Sequence, residues 1–290
     1  MSLASRNRPG ASRKGLATAA LLAGLVAVAA APAAATERAD AKIVLIAGRP
    51  SHGPGEHEFN AGTTILTDCL NKMKGVQAVM VRGGWPDDVS VFEGAKTVVF
   101  YMDGGDHHPM FEGPDRYAAM KKLMDAGVGL VCLHYAVEFP KGRVGDQVLD
   151  WLGGYYETGY STNPHNDAAM ALDPRHAICR GVRPFQIMDE WYYKIRFRPD
   201  DKRVTPILTT MLPKDKPVLE TCAWATERAD GGRAFGFTGG HVHRNWANED
   251  FRRLVLNAIL WSAKLSVPKG GSVSQVTEAQ LAANLDPKPR

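Results

Sequence analysis

Nine histidines stand in a chain of 290 residues, and seven of them closely follow an apolar run that reads as a strand. His52 and His57 come after residues 42–48, His107 and His108 after 97–102, His134 after 128–133, and His241 and His243 after 234–238. Imidazole titrates near neutral pH and is a common ligand of zinc, so a shared location for so many rings points to one of two chemistries. In the first, a divalent metal, zinc or similar, is held by a set drawn from His52, His57, His134, His241 and His243. The pair His241-x-His243 puts two rings on one side of an extended segment. In the second, the same rings act directly as general acid and base, with His134 and His241 as catalytic residues. The bland reading of any one of them is a loop or packing residue, which is how His176, in a Pro-Arg-His turn, is read.

Two carboxylates stand out. Asp189 and Glu190 adjoin Trp191, Tyr192 and Tyr193, and Tyr155, Tyr156 and Tyr160 add to the aromatic supply. Carboxylates beside aromatic faces suit a sugar, with Glu190 as a catalytic base or ligand. A strand edge with a solvated face would look the same. Other chemistries lack their motifs. Ser51-His52-Gly53-Pro54-Gly55 has no third glycine and no helix at the required offset, so no nucleotide cofactor is expected. There is no phosphate-binding loop and no Gly-x-Ser-x-Gly elbow.

Strands and helices that alternate must position these residues. Beyond the strands already named, residues 76–82 read as a strand, 61–74 and 248–263 as helices, and Pro114 opens a helix at its favoured first turn. Near-continuous apolar strands between helices imply a parallel sheet covered on both faces. Its carboxyl rim, where the histidines lie, is where such folds bind ligands. The second half is more mixed, with a helix ending near 150–154 and extended runs at 185–193, 204–210 and 218–225. From 264 to 290 the chain reads as a strap or loose end, with Thr277 capping a turn through Leu281.

The charge balance is +4, from 35 basic and 31 acidic residues. Arg6, Arg8, Arg13 and Lys14 precede any acid, so the rest of the chain is neutral, which argues against nucleic acid as a partner. Residues 15–31 are uncharged and apolar, and small residues follow through Ala35. That order predicts a secretory signal peptide over 1–35, export to the periplasm or medium, and no stable membrane insertion after cleavage. An uncleaved anchor is the rival reading, but the apolar run is short for a span. Cys69, Cys132, Cys179 and Cys222 form no Cys-x-x-Cys pair, and no obligatory disulfide is expected.

Several segments together resemble one family. Gly129-Leu130-Val131-Cys132-Leu133-His134-Tyr135-Ala136 is similar to the strand-to-helix turn of ThuA-like (trehalose utilisation) proteins. Gly153-Gly154-Tyr155 leading to Asn163-Pro164-His165 resembles a second segment. Asp173-Pro174-Arg175-His176 through Asp189-Glu190-Trp191-Tyr192 resembles a third, with Ala177 where the family has proline. Gly240-His241 and the helix through Trp261 resemble the last. The likeness spans residues 42–263 and implies a flavodoxin-like three-layer α/β sandwich with a mostly parallel central sheet, as in class I glutamine amidotransferases. It places His134 at the elbow where those enzymes carry a nucleophilic cysteine, and His241 at their late histidine. Cys132 lies too early, inside the strand, so amidotransferase and cysteine-peptidase activities are excluded. The resemblance implies a small-molecule carbohydrate ligand, with Tyr135, Tyr155, His165, Asp189, Trp191 and Tyr192 expected to bind it. Two function classes stay open: a hydrolase, isomerase or lyase acting on sugars, and a non-catalytic carbohydrate-binding or accessory domain.

Overall fold

The computed structural model describes residues 40–288; the expected leader over 1–35 lies outside the described residues. In chain order the elements are β1 (Ala41–Ala47), α1 (Phe59–Asn71), β2 (Val76–Val81), β3 (Ala95–Tyr101), α2 (Pro114–Asp125), β4 (Gly129–Leu133), α3 (Arg143–Trp151), β5 (Gly154–Tyr155), β6 (His165–Leu172), β7 (Phe185–Glu190), β8 (Arg196–Phe197), β9 (Val204–Leu212), β10 (Val218–Glu227), β11 (Arg233–Phe237), α4 (Glu249–Ser262) and α5 (Glu278–Leu281).

Nine strands form one sheet in the order β2-β1-β3-β4-β11-β10-β9-β6-β7. The five from β2 to β11 pair in parallel, and the remaining four extend the sheet antiparallel. The order 2-1-3-4 is the flavodoxin-like one, with its switch point between β1 and β3. Successive strand residues face opposite sides, so Ile43, Leu45, Val99, Val131 and Phe235 pack under α1 and α4. Val44, Ile46, Val98, Phe100 and Cys132 pack under α2 and α3. The expected three layers are therefore present.

β6 was not legible. His165–Leu172 has no β-branched or aromatic residue, and only Ala168 and Met170 point fully inward. Its strand state comes from pairing with β7 and β9, not from propensity. The helices begin as their sequences dictate. Pro114 occupies the first turn of α2, and Asn248 caps α4 by accepting from the Asp250 and Phe251 amides. After α4 the chain is an ordered strap. Arg252 and Arg253 donate to the Ser274 and Ser272 carbonyls, and Thr277 closes a capping box on α5. Cys69, Cys132, Cys179 and Cys222 are all free and buried. No helix among the described residues is long and apolar enough to cross a membrane.

Candidate metal centre

Four side chains meet above the carboxyl ends of the central strands. His57 comes from the loop after β1, His134 from the residue after β4, and His241 from the loop after β11. Glu190 ends β7, four strands from β11 in the pairing order. It reaches the others because the antiparallel extension curls back. Next to it the buried carboxylate of Asp189 accepts from the Gly240, His241 and Val242 amides at 2.8, 3.0 and 3.2 Å, and from the Glu190 amide at 2.9 Å. That clamp fastens the end of β7 to the loop bearing His241.

Backbone conformation also aims the rings. His134 leaves β4 at φ 55°, in the left-handed region, which turns its side chain off the strand axis at the elbow position. His52 (φ 61°) and His57 (φ 44°) share that uncommon state. Non-glycine residues held there are strained, and such strain gathers at functional sites. Gly240, at φ 116°, supplies the remaining turn, and its carbonyl accepts from the Tyr101 hydroxyl.

The facing atoms are close. His57 Nε2 lies 2.9 Å from His241 Nδ1 and 3.0 Å from His134 Nε2, and the last two are 3.3 Å apart. Glu190 Oε2 is 3.4 Å from His134 Nε2 and 3.2 Å from His241 Nδ1. The sixth pair, His57 to Glu190, is wider, though all four donors lie within 4.8 Å of one another. Spacings of about 3 Å let several of these atoms share one ion with bonds of about 2.0–2.2 Å.

The outer nitrogens fix the tautomers. His134 Nδ1 is 2.9 Å from the Thr238 carbonyl, which only accepts, so the proton is on Nδ1 and Nε2 presents a lone pair. His57 Nδ1 is 3.0 Å from an Asp103 carboxylate oxygen that also accepts from Ser51 Oγ, so its Nε2 is likewise bare. Two lone pairs thus face each other at 3.0 Å. A proton on His241 Nδ1 can bridge to only one of them, whereas a cation satisfies all three nitrogens and the carboxylate.

The electrostatics agree. Burial, then the neighbouring imidazoles His134, His52 and His241, holds His57 far below the ordinary histidine range, so it is a neutral donor. Burial would raise Glu190, but the adjoining imidazoles of His134 and His241 overcome it and keep the carboxyl ionised. Burial is the largest influence on His241 and lowers it, but the bond to Glu190 together with the charges of Glu190, Glu56 and Asp189 outweighs it, leaving a net rise. Outside this group, His52 lies over His57 with ring centres 3.6 Å apart, Tyr135 is 5.8 Å from His57, Tyr192 is 4.8 Å from His134, and His165 is 4.9 Å from His241. Asn163 Nδ2 donates to Glu190 Oε1 at 2.9 Å.

Four expected site residues lie elsewhere. His243 begins a tight helical turn, so the two-residue alternation is lost, and its Nε2 bonds the Leu281 carbonyl at 2.8 Å. It faces the strap and not the centre, so it is no ligand. Asp189 is spent on backbone amides and cannot bind substrate. Trp191 is a buried wall against Phe237 and Phe251. Tyr155 donates to Glu157 Oε2 in a separate ionic cluster with Arg196. His52 sits beside the centre, over His57, and is not one of the four donors. His108, read only as a rim residue, stacks on Phe139 at 4.0 Å. Sequence reasoning missed Asp103, Ser51 and Glu56, whose carboxylate lies 3.6 Å from His241 Nε2. Asp103 had a usable signal, since it opens the Asp103-Gly104-Gly105 turn after the third strand, on the same rim.

The sequence profile of the ThuA family, trehalose utilisation, matches residues 45–262. The crystal structure of a ThuA-like protein from Bacteroides uniformis superposes with a TM-score of 0.57 at 16% identity, covering 80% of this chain and 95% of that one. One from Parabacteroides merdae gives 0.56 at 16% identity, covering 79% and 92%. At such identities the likeness shows the shared fold. No curated protein matches the chain significantly.

Proposed function

Because the chain belongs to the ThuA, or trehalose utilisation, family, we propose that it is an exported, metal-dependent enzyme acting on a sugar. A divalent ion, zinc or similar, would be held by His57, His134, His241 and Glu190. The observation that carries this reading is the pair of bare Nε2 atoms of His57 and His134, 3.0 Å apart and fixed by hydrogen bonds on their far sides. A bound ion of this kind supplies Lewis acidity towards a carbonyl or hydroxyl oxygen.

The chain's own residues do the rest. Asp103 and the Thr238 carbonyl hold two rings in the tautomer that offers a lone pair, as hydrogen-bond partners of metal-binding histidines commonly do. Asp189 fixes the backbone of His241. Tyr135, His165 and the exposed His52 flank the cluster and suit a polyhydroxylated ligand, with ring faces for its carbons and polar tips for its hydroxyls, while the buried Tyr192 backs His134. Hydrolysis, isomerisation and elimination on a sugar all fit such a centre.

Metal analysis of the purified protein tests the proposal. One divalent ion per chain, removed by chelator and lost in His134→Ala, is the expected result. A metal-free protein that still binds a sugar would instead establish the accessory-domain reading.

A further inference from the structure

The strap that follows α4 lies outside the family-matched segment, which ends at residue 262, yet its last part is built into the loop that carries His57. Lys288 buries its ammonium there, with its side chain 2% exposed, 3.5 Å from the equally buried Glu58 carboxylate. It donates to the Gly53 carbonyl at 3.1 Å and to the Glu56 carbonyl. The Asp286 amide donates to Glu58 at 2.6 Å, and the Asp286 carboxylate receives the Asn60 side chain and amide at the start of α1. Glu58 also accepts from the Gly55 amide at 2.8 Å.

Residues 53–58 are thus held from both sides. The His241 carbonyl receives the His57 amide, and the Gly55 carbonyl receives the His243 amide, on one flank. The strap holds the other. His57 needs such support because its backbone sits at φ 44°, a state that persists only when its surroundings impose it. A buried lysine and a buried glutamate are also costly unless they meet, so this contact is a commitment of the fold and not a loose surface pair.

We propose that Lys288 is a positioning residue for the metal centre: through Glu58 and the Gly53 and Glu56 carbonyls it locks the loop that presents His57. The proposal rests on the metal reading above. Its test uses the full chain with Lys288→Met, which keeps the volume and removes the charge and donors, and Asp286→Asn as a second variant. Glu278→Gln, which breaks the strap's exposed pair with Arg244, is the control.

Two measurements are made on each: Co2+ affinity with its visible spectrum, and amide hydrogen exchange over residues 53–58. Loss of residues that orient ligands typically costs about 10–100-fold in metal affinity. Lys288→Met should fall in that range, alter the Co2+ spectrum and speed exchange over 53–58, while Glu278→Gln changes neither. Faster exchange with unchanged Co2+ affinity and spectrum would overturn the positioning role, and so would unchanged exchange. If the unsubstituted chain takes up no Co2+, the metal reading fails by itself, and exchange over 53–58 then decides whether the strap locks the loop.

Discussion

Replacing Asp189 by asparagine isolates the clamp between β7 and the His241 loop. The side chain is fully buried, and both of its oxygens are in use. Oδ1 accepts from the Glu190, His241 and Val242 amides and Oδ2 from Gly240. Asparagine keeps one oxygen. If that oxygen serves the first three amides, its NH2 faces the Gly240 N–H, donor against donor. The charge-assisted bonds become neutral, each dropping from about 1.5–3 to about 0.5–1.5 kcal/mol, and one buried amide is left unpaired at about 1–3 kcal/mol. Relief from burying a charge offsets part of this, and a net loss of about 2–4 kcal/mol is expected. In urea, with a slope of about 2–3 kcal/mol per molar, the midpoint of the chelated protein should fall by about 0.7–2 M. The same substitution should weaken Co2+ binding, since the backbone of His241 and the position of Glu190 both depend on Asp189. A stability within about 0.5 kcal/mol of the parent protein, the range of an ordinary surface change, would refute the clamp. A large loss with unchanged Co2+ affinity would refute its link to the centre.

Further outcomes follow from the same geometry. Excess divalent ion at 100 times its dissociation constant should stabilise the protein by about 2.7 kcal/mol; His134→Ala should abolish that gain while changing the chelated protein by no more than about 1–2 kcal/mol, as read by thermal melts with and without metal. Burial pushes His108 down to about 3 from 6.5. The unfolded state therefore binds a proton that the folded one refuses between those values, so stability should fall as pH drops from 6.5 towards 3. His108→Gln should flatten that part of a stability–pH curve. Glu157 is held at about 2, chiefly by its hydrogen bond from Arg196, so its contribution is intact above 4.5 and fades as pH falls towards 2. Arg196→Met should cost about 2 kcal/mol at neutral pH in chemical denaturation, less than the about 3–5 kcal/mol of a fully buried pair because Arg196 is partly exposed.

The histidine positions were legible because doubly wound sheets bring the carboxyl ends of central strands together, so His57, His134 and His241 could be placed on one rim from apolar runs alone. The elbow at His134 came from the resemblance to the ThuA-like family and not from the apolar runs, and the residue's backbone there is left-handed. What misled was the assumption of extended geometry beyond the strand ends. The chain turns after His241, which sends His243 to the strap. Asp189 and Glu190 were singled out as a pair, but neighbours in a strand face opposite sides. Only Glu190 points at the rings, and Asp189 points at backbone. Nothing in the sequence announced that β7, remote in pairing order, would curl back to deliver Glu190, because strand pairing over that distance leaves no local periodicity. Trp191 illustrates the companion error: an aromatic beside a carboxylate reads equally well as a sugar platform and as a core wall.

The centre joins side chains separated by 77, 107 and 184 residues. Contacts so distant in sequence carry a large loop-closure cost, so the local strand–helix units are expected to close first. No fragment that stops short of His241, and no intermediate lacking the antiparallel extension, contains the complete set of donors. A chain arrested before β7 and β11 have docked would present at most His57 and His134, a pair with weak hold on any ion. Acquisition of the full donor set is therefore a readout of finished assembly, and proteins released early from the folding route would be marked by its absence.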